Sequence, residues 1–272
     1  MTGWTLDPFR MRQHSGWTPV RVTVAQLVAL AAPVAVSLVE RGTAQIAVLL
    51  TAVVTCLIWE LAFGLIRGRS LSLHTATVAL IFVVLVPASI PVWQIAVAVS
   101  LGVVFGELVF GGRGYGIVSG AAAAAGFLVF SFTGTELYSG SEVMALATLP
   151  GLVLLLAGGL VSWRMLVSVS VVLVIAGLIQ DGASGLPSVA ITAVFGMVFL
   201  IGDPVAGATT NPGRVVFGLL AGVLIVLFDT AAGPVVAPAA VVFASLLASL
   251  FAPLIDHMAV KLMVRRRRVL HG

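Results

Sequence analysis

An all-α integral membrane fold of about ten transmembrane helices is predicted by three properties of this chain. Of its 272 residues, 60% are hydrophobic and 9% charged, against roughly 25% charged residues in a soluble domain. Apolar runs near the roughly 20 residues of a straight crossing repeat from Thr23 to the C-terminal tail, separated by short polar breaks. Those runs lack the apolar–polar alternation of a membrane barrel strand, so helices are the elements expected.

Residues 1–22 are polar and basic and read as an N-terminal tail. The first run, 23–39, contains Ala31-Ala32-Pro33-Val34-Ala35, which resembles a signal-peptide end; nine further runs favour a retained helix. The second, 44–66, carries Cys56 and Glu60. The third, 73–88, is short and ends at Val86-Pro87, with Pro91 close behind; the fourth, 92–110, carries Glu107. The fifth, 116–132, holds the small residues Ser119 to Gly126, which suit close helix packing. The sixth, seventh and eighth are 146–162, 165–180 and 187–202, and the ninth and tenth are 214–230 and 235–255. A basic tail, 258–272, follows, so one membrane domain is expected over 23–257.

Charge placement tests this segmentation. With both termini in the cytoplasm, the inner segments hold Arg10, Arg12, Arg21, Arg67, Arg69, Arg113, Arg164, Arg214, Lys261 and Arg265 to Arg268. Only Arg41, of the 14 basic residues, falls outside. The positive-inside rule predicts that asymmetry, which assigns the positive charge to topology and away from nucleic-acid binding. The Arg265–Arg268 run reads as a stop signal on the inner face or a contact with anionic headgroups.

Ten helices divide as five plus five, and an odd-numbered repeat inverts its own topology. The halves 23–132 and 146–255 are nearly equal in length, and the third run of each is short and ends near proline. Interrupted segments at matching positions of inverted repeats mark a site between the halves.

Polar groups narrow the chemistry. The single cysteine, Cys56, gives no disulfide framework and no thiolate metal site. His14, His74, His257 and His271 are not spaced to grip a metal from one helix. Gly112-Arg113-Gly114-Tyr115-Gly116 misses the dinucleotide-binding spacing, and no nucleophile–base pair or P-loop occurs, so no catalytic residue is assigned. Glu60 and Glu107 lie within helices and Asp256 near the end of one, and all three are ion-path candidates, since carboxylates there often mark ion paths. Pairing with the nearby Arg67 and Arg113, or snorkelling at the interface, competes with that reading. Asp256 closes the tenth run, where the helix dipole disfavours a carboxylate, so a basic partner is expected for it.

The segment Gly202 to Arg214 is the strongest local signal. Asp203-Pro204 and Asn211-Pro212 each pair a capping residue with a proline suited to a helix start. Two such ends would present free N–H groups and positive dipoles to one space, with Thr209, Thr210 and Arg214 adding hydroxyls and a cation. An anionic or hydrogen-bonding ligand, such as a phosphate or a flavin edge, fits that pattern. The competing reading is a tight cytoplasmic turn in which Asp203 pairs with Arg214.

These motifs resemble the RnfD/NqrB family, the flavin-bearing membrane subunits of the Rnf complex and the sodium-pumping NADH:quinone oxidoreductase. Asp203-Pro204-Val205 and Thr209-Thr210-Asn211-Pro212-Gly213-Arg214 follow its T-D-P-V and T-T-x-K-G-R patterns. Phe251-Ala252-Pro253-Leu254-Ile255-Asp256 follows its closing F-A-P-L-I-D, with Ser162-Trp163-Arg164 and Phe110-Gly111-Gly112-Arg113-Gly114 matching in order. The likeness covers about residues 25–257. It implies two inverted five-helix halves akin to the urea-transporter fold, a place in the bacterial cytoplasmic membrane, and electron transport coupled to Na⁺ or H⁺. It also implies partners, namely other membrane subunits and flavin- or iron–sulfur-bearing ones. This chain carries no ligand set for a redox centre of its own.

Two departures stand out. Gly116-Ile117-Val118-Ser119-Gly120-Ala121 replaces the family's N-P-F-N-P-A. The family's covalent FMN hangs from the threonine of S-G-A-T, yet here Ser139-Gly140-Ser141-Glu142 places a glutamate at that position. A carboxylate cannot form the phosphoester, and Thr133 and Thr135 are out of register, so covalent FMN is not expected. The resemblance leaves a flavin held without a covalent bond, FMN or riboflavin. The departures support an alternative, a stand-alone channel or transporter that kept the fold and lost the redox role.

Overall fold

The computed structural model describes residues 18–68, 74–112, 114–180, 191, 193–230 and 238–271. Outside them lie most of the expected N-terminal tail with Arg10, Arg12 and His14, together with Arg69, Arg113 and the starts of the eighth and tenth runs. The side chains of Arg266 to Arg268 and His271 are also outside.

Among the described residues every regular element is helical: α1 (Pro19–Arg41), α2 (Thr43–Arg67), α3 (Thr75–Leu85), α4 (Val92–Val103), α5 (Gly120–Ser131), α6 (Glu142–Ala157) and α7 (Trp163–Gln180). The described part of α8 covers 193–201, followed by α9 (Asn211–Thr230) and α10 (Pro238–His271). α4 continues as a π-helical turn, Val104–Leu108, and α8 ends in another, Met197–Ile201. Single π turns inside helices frequently mark functional positions.

Local chemistry sets the helix ends. Thr18 accepts a hydrogen bond from the Arg21 amide at 3.3 Å and Pro19 opens α1, so the helix starts before the first run does. Gly68, at φ 62°, ends α2 in the left-handed region. Ser141 caps α6 through the Met144 amide at 3.0 Å. α10 runs through the expected C-terminal tail to His271, because nothing between Met258 and Val264 breaks a helix.

Val20–Arg41, Thr43–Arg67, Asn211–Asp229 and Pro238–Arg265 are long and apolar enough to cross a bilayer. Shorter apolar helices stand between them, and the whole is a multi-pass membrane protein. α2 shows the division of labour. Leu50, Val54, Ile58, Leu61 and Leu65 are exposed, as lipid-facing residues are, while Gln45, Val48, Ala52, Cys56 and Glu60 form a buried stripe at helical spacing.

α3 is different. Its 11 residues reach about 16 Å, half the thickness of a hydrocarbon core. Nearly every side chain on it is buried, and it lies against α1, α2 and α5.

α2 also packs on α4, α4 on α5, and α1 on α6; α7 packs on α9, α9 on α10, and α10 on α5. The expected close packing of the small-residue run is present at the α4–α5 contact. A Cβ on Gly102 would stand 2.5 Å from the Ala124 Cβ, and one on Gly106 would stand 2.6 Å from the Gly120 Cα. That contact brings the π turn carrying Glu107 against the start of α5.

Candidate functional site

The two ends of the bundle are called inner and outer after the charge-based expectation. At the inner end of the first half, α2 finishes, α3 begins, α4 passes into its π turn and α5 starts. Their convergence buries Glu60 and Glu107, which are 5% and 8% exposed. Thr75 at the start of α3 donates its hydroxyl to Glu60 Oε2. His74, 8% exposed, sets Nε2 3.2 Å from Glu107 Oε1.

The sequence-based alternative, pairing with Arg67, is corrected for Glu60. Arg67 turns to the end of α4 and donates to the carbonyls of Leu108 at 2.6 Å and Val109 at 3.1 Å. A helix C-terminus offers unpaired carbonyls and a negative dipole end, and the guanidinium is drawn there. Snorkelling is corrected for both carboxylates, since each points inward. Arg113, the partner expected for Glu107, is outside the described residues.

His74 supplies the detail that matters for protons. The Thr77 hydroxyl donates to the His74 carbonyl at 2.7 Å and lies 3.2 Å from His74 Nδ1. A hydroxyl has one proton to give, so with that bond made Nδ1–H is the donor to Thr77 Oγ1. The contact between Nε2 and Glu107 then needs one proton, carried either by the imidazole or by the carboxyl.

The Gly202–Arg214 segment is built otherwise. Asp203 makes a turn, its Oδ1 accepting from the Val205 amide at 2.9 Å, and no helix starts at Pro204. Thr210 caps α9, accepting from the Gly213 amide at 3.1 Å, so the cap falls one residue before the expected Asn211. Asn211 instead accepts from Arg164 Nη1 at 2.8 Å. A single helix start therefore faces this space, in place of the two expected.

An anion does sit at that start, and it belongs to the chain. Asp256 of α10 accepts from the Thr209 amide and hydroxyl, each at 2.7 Å, and from the Thr210 amide and hydroxyl at 3.0 and 2.6 Å. The basic partner expected for Asp256 is corrected to these four donors. Arg214 reaches the loop's own backbone, its Nε standing 3.4 Å from the Ala208 carbonyl. A flavin phosphate does not fit the donors of Thr209 and Thr210 while Asp256 holds them.

On the outer side, Glu142 opens α6 directly after its cap Ser141, and Ser141 donates to Glu40 Oε1. Tyr138 donates to Glu40 Oε2 at 2.8 Å. Burial and the bond to Glu40 hold the Tyr138 phenol above its ordinary range. Thr133, Thr135 and Ser139 line a groove of about 530 Å³ with Pro87, Gln94 and Glu136. Glu142 thus lies in a helix start whose cap, Ser141, is tied to Glu40 of α1.

His74 and Thr75, the partners of the carboxylates, and Thr77, which contacts His74, are absent from the sequence-based candidates. Their signal is nonetheless present, since three polar residues within four positions open a run that is otherwise apolar.

Comparison with known proteins extends these observations. The model of the NQR2, RnfD, RnfE family matches residues 12–138 and residues 132–265. A Na(+)-translocating NADH-quinone reductase subunit from Azotobacter vinelandii is 31% identical over 115 residues, 39% of this chain and 28% of that protein. The protein of the same name from Haemophilus influenzae strain PittEE is 32% identical over 77 residues, 28% of this chain and 19% of that protein. That from Pseudomonas paraeruginosa is 29% identical over 133 residues, 45% of this chain and 33% of that protein. The matches thus span a third or less of these curated relatives.

Proposed function

Because the chain belongs to the NQR2, RnfD, RnfE family, we propose that it is a membrane subunit of an ion-translocating electron-transport complex and that its own task is the ion's route. The observation that carries this reading is the buried inner cluster of Glu60, Thr75, His74 and Glu107. Ionisable groups inside a membrane protein are costly to keep and serve ions or protons where they occur. Oxygens of Glu60, Thr75 and Glu107 suit a hard monovalent cation, and the single proton of His74–Glu107 is available for exchange. Na⁺ and H⁺ are accordingly the candidate coupling ions. Glu60 and Glu107 are the route's residues, and Asp256 belongs to the framework.

The redox centres belong to partner subunits in this reading, flavin- or iron–sulfur-bearing. Glu142 leaves no acceptor for covalent FMN, so a flavin on this chain is non-covalent FMN or riboflavin. Two inverted five-helix halves in one domain over 23–257, in a urea-transporter-like arrangement, are supported by repeated packing. α2 on α4 and α4 on α5 in the first half correspond to α7 on α9 and α9 on α10 in the second. The location proposed is the bacterial cytoplasmic membrane with both termini inside.

Reconstitution of the full chain tests the route. Na⁺ or H⁺ uptake into proteoliposomes under an imposed gradient is expected to be lost in Glu60→Gln and Glu107→Gln, since intramembrane carboxylates mark ion pathways. Uptake equal to wild type in both would sink the assignment. Flavin absorbance before and after acid precipitation separates the cofactor states. Colour in the supernatant supports non-covalent flavin, colour in the pellet contradicts the Glu142 argument, and no colour leaves the flavin with partners.

A further inference from the structure

The other end of α3 carries a second buried polar assembly. α3 stops at Leu85, with Val86 already extended before Pro87, and a helix end of that kind leaves its last carbonyls unpaired. Half-helix ends inside membrane proteins are where such carbonyls coordinate small cations. Here a guanidinium takes them. Arg41 donates to the carbonyls of Val83 at 3.2 Å, Val84 at 2.7 Å and Val86 at 2.8 Å. Gln45 Nε2 donates to Val83 and Val86 at 2.7 and 3.1 Å, and the Tyr138 amide takes Leu85 at 2.8 Å.

Among the described residues three buried polar side-chain atoms have no protein partner: Arg41 Nε and Gln45 Oε1 on the two residues that hold this end, and Ser37 Oγ one helical turn before Arg41. Ser37 and Gln45 are both 0% exposed. Two of the three atoms are oxygens, surplus to holding the arginine. On its far side, the last turn of α3 borders a cavity of about 20 Å³ lined by Val84, Leu85, Tyr138, Phe195 and Val241. That is room for one water between the two halves.

We propose that the C-terminal end of α3, with Gln45 Oε1 and Ser37 Oγ, is a monovalent-cation site that Arg41 occupies as a tethered substitute. Carbonyl and amide oxygens are the ligands a hard cation takes. The guanidinium blocks such an ion by charge and by position. Its hold is strengthened where its carbon stands 3.8 Å from the centre of the Tyr138 ring, and Glu40 is fixed beside it by Tyr138 and Ser141. The buried face of α2 joins Gln45 at this end to Glu60 at the inner one, and α3 runs beside it. The site thus stands across the bundle from the inner cluster. It rests on the proposed ion route for its purpose and on its own residues for its binding.

The test uses the full chain in detergent, in NaCl and in choline chloride at equal ionic strength. Arg41→Met is expected to melt about 3 °C higher in sodium than in choline, beyond any wild-type difference. Arg41→Lys, which keeps a cation in place, should show no such gain, and Arg41→Met with Gln45→Leu should lose it. A folded Arg41→Met without a sodium-dependent gain overturns the proposal, as does a gain that survives Gln45→Leu. If Arg41→Met does not fold, Arg41→Gln is read in the same way. The gain should persist when Glu107→Gln is added. Should Glu60→Gln and Glu107→Gln leave uptake unchanged while the gain remains, the route fails and this site stands.

Discussion

Each half of the molecule brings carboxylates to its inner end, and the two ends treat them in opposite ways. In the first half, Glu60 and Glu107 are buried against the Thr75 hydroxyl and the His74 imidazole. In the second, Asp256 is half-buried and accepts four hydrogen bonds from two threonines, which fix it as an anion on a helix start. The first arrangement is the one to which the proposed ion route is assigned. The second is itself a framework, because every donor has its acceptor. The family-pattern residues therefore build a fixed joint, while the proposed ion route rests on less conspicuous residues.

The largest effect that sharpens this contrast is expected for Glu107→Leu. Removing the carboxylate leaves His74 Nε2 buried without that partner, and ion uptake should be lost while the secondary structure survives in circular dichroism. Uptake near wild type would erase the distinction between the halves. Gly106→Ala comes next, because its methyl meets the Gly120 backbone at 2.6 Å. Overpacking of that kind costs about 1–3 kcal/mol, and displacement of the π turn should lower uptake along with the melting temperature.

Asp256→Ala should destabilise by about 2 kcal/mol, discounted for its exposure, since four charge-assisted bonds are lost. A thermal melt checks the loss, and uptake per folded protein should stay at wild-type level. Arg214→Ala removes one long bond to Ala208 and should cost about 0.5 kcal/mol, with uptake and flavin content unchanged. A loss of bound flavin there would return the loop to ligand binding. The smallest effect concerns Tyr138, whose pKa folding raises above the ordinary 10.0. Its contribution is complete below that value and lost as pH rises through the raised one. Alkaline difference spectra should show one late-titrating tyrosine that disappears in Tyr138→Phe.

The sequence made the helical membrane fold legible because hydropathy acts over whole runs, and the positions of α1, α2, α7 and α9 follow from that. The ends were less legible. Thr18, Ser141 and Thr210 extend helices through polar residues that hydropathy discards, and α10 continues because no breaker follows Asp256. Glu60 and Glu107 were visible as carboxylates within apolar runs, but their burial and their partners come from another run, so spacing along one helix cannot reveal them. Arg41 stood out as the single outer basic residue. Its task at the end of α3 needed the fold, which brings residues 41 and 83 together. Asp256 meets Thr209 from 47 positions away for the same reason.

The most direct test of the central claim is Na⁺ and H⁺ uptake by proteoliposomes of the full chain, with Glu107→Gln and Asp256→Asn measured side by side and normalised to folded protein. Uptake lost in Glu107→Gln and retained in Asp256→Asn is the predicted result. Uptake retained in Glu107→Gln and lost in Asp256→Asn would place the route in the second half and contradict it.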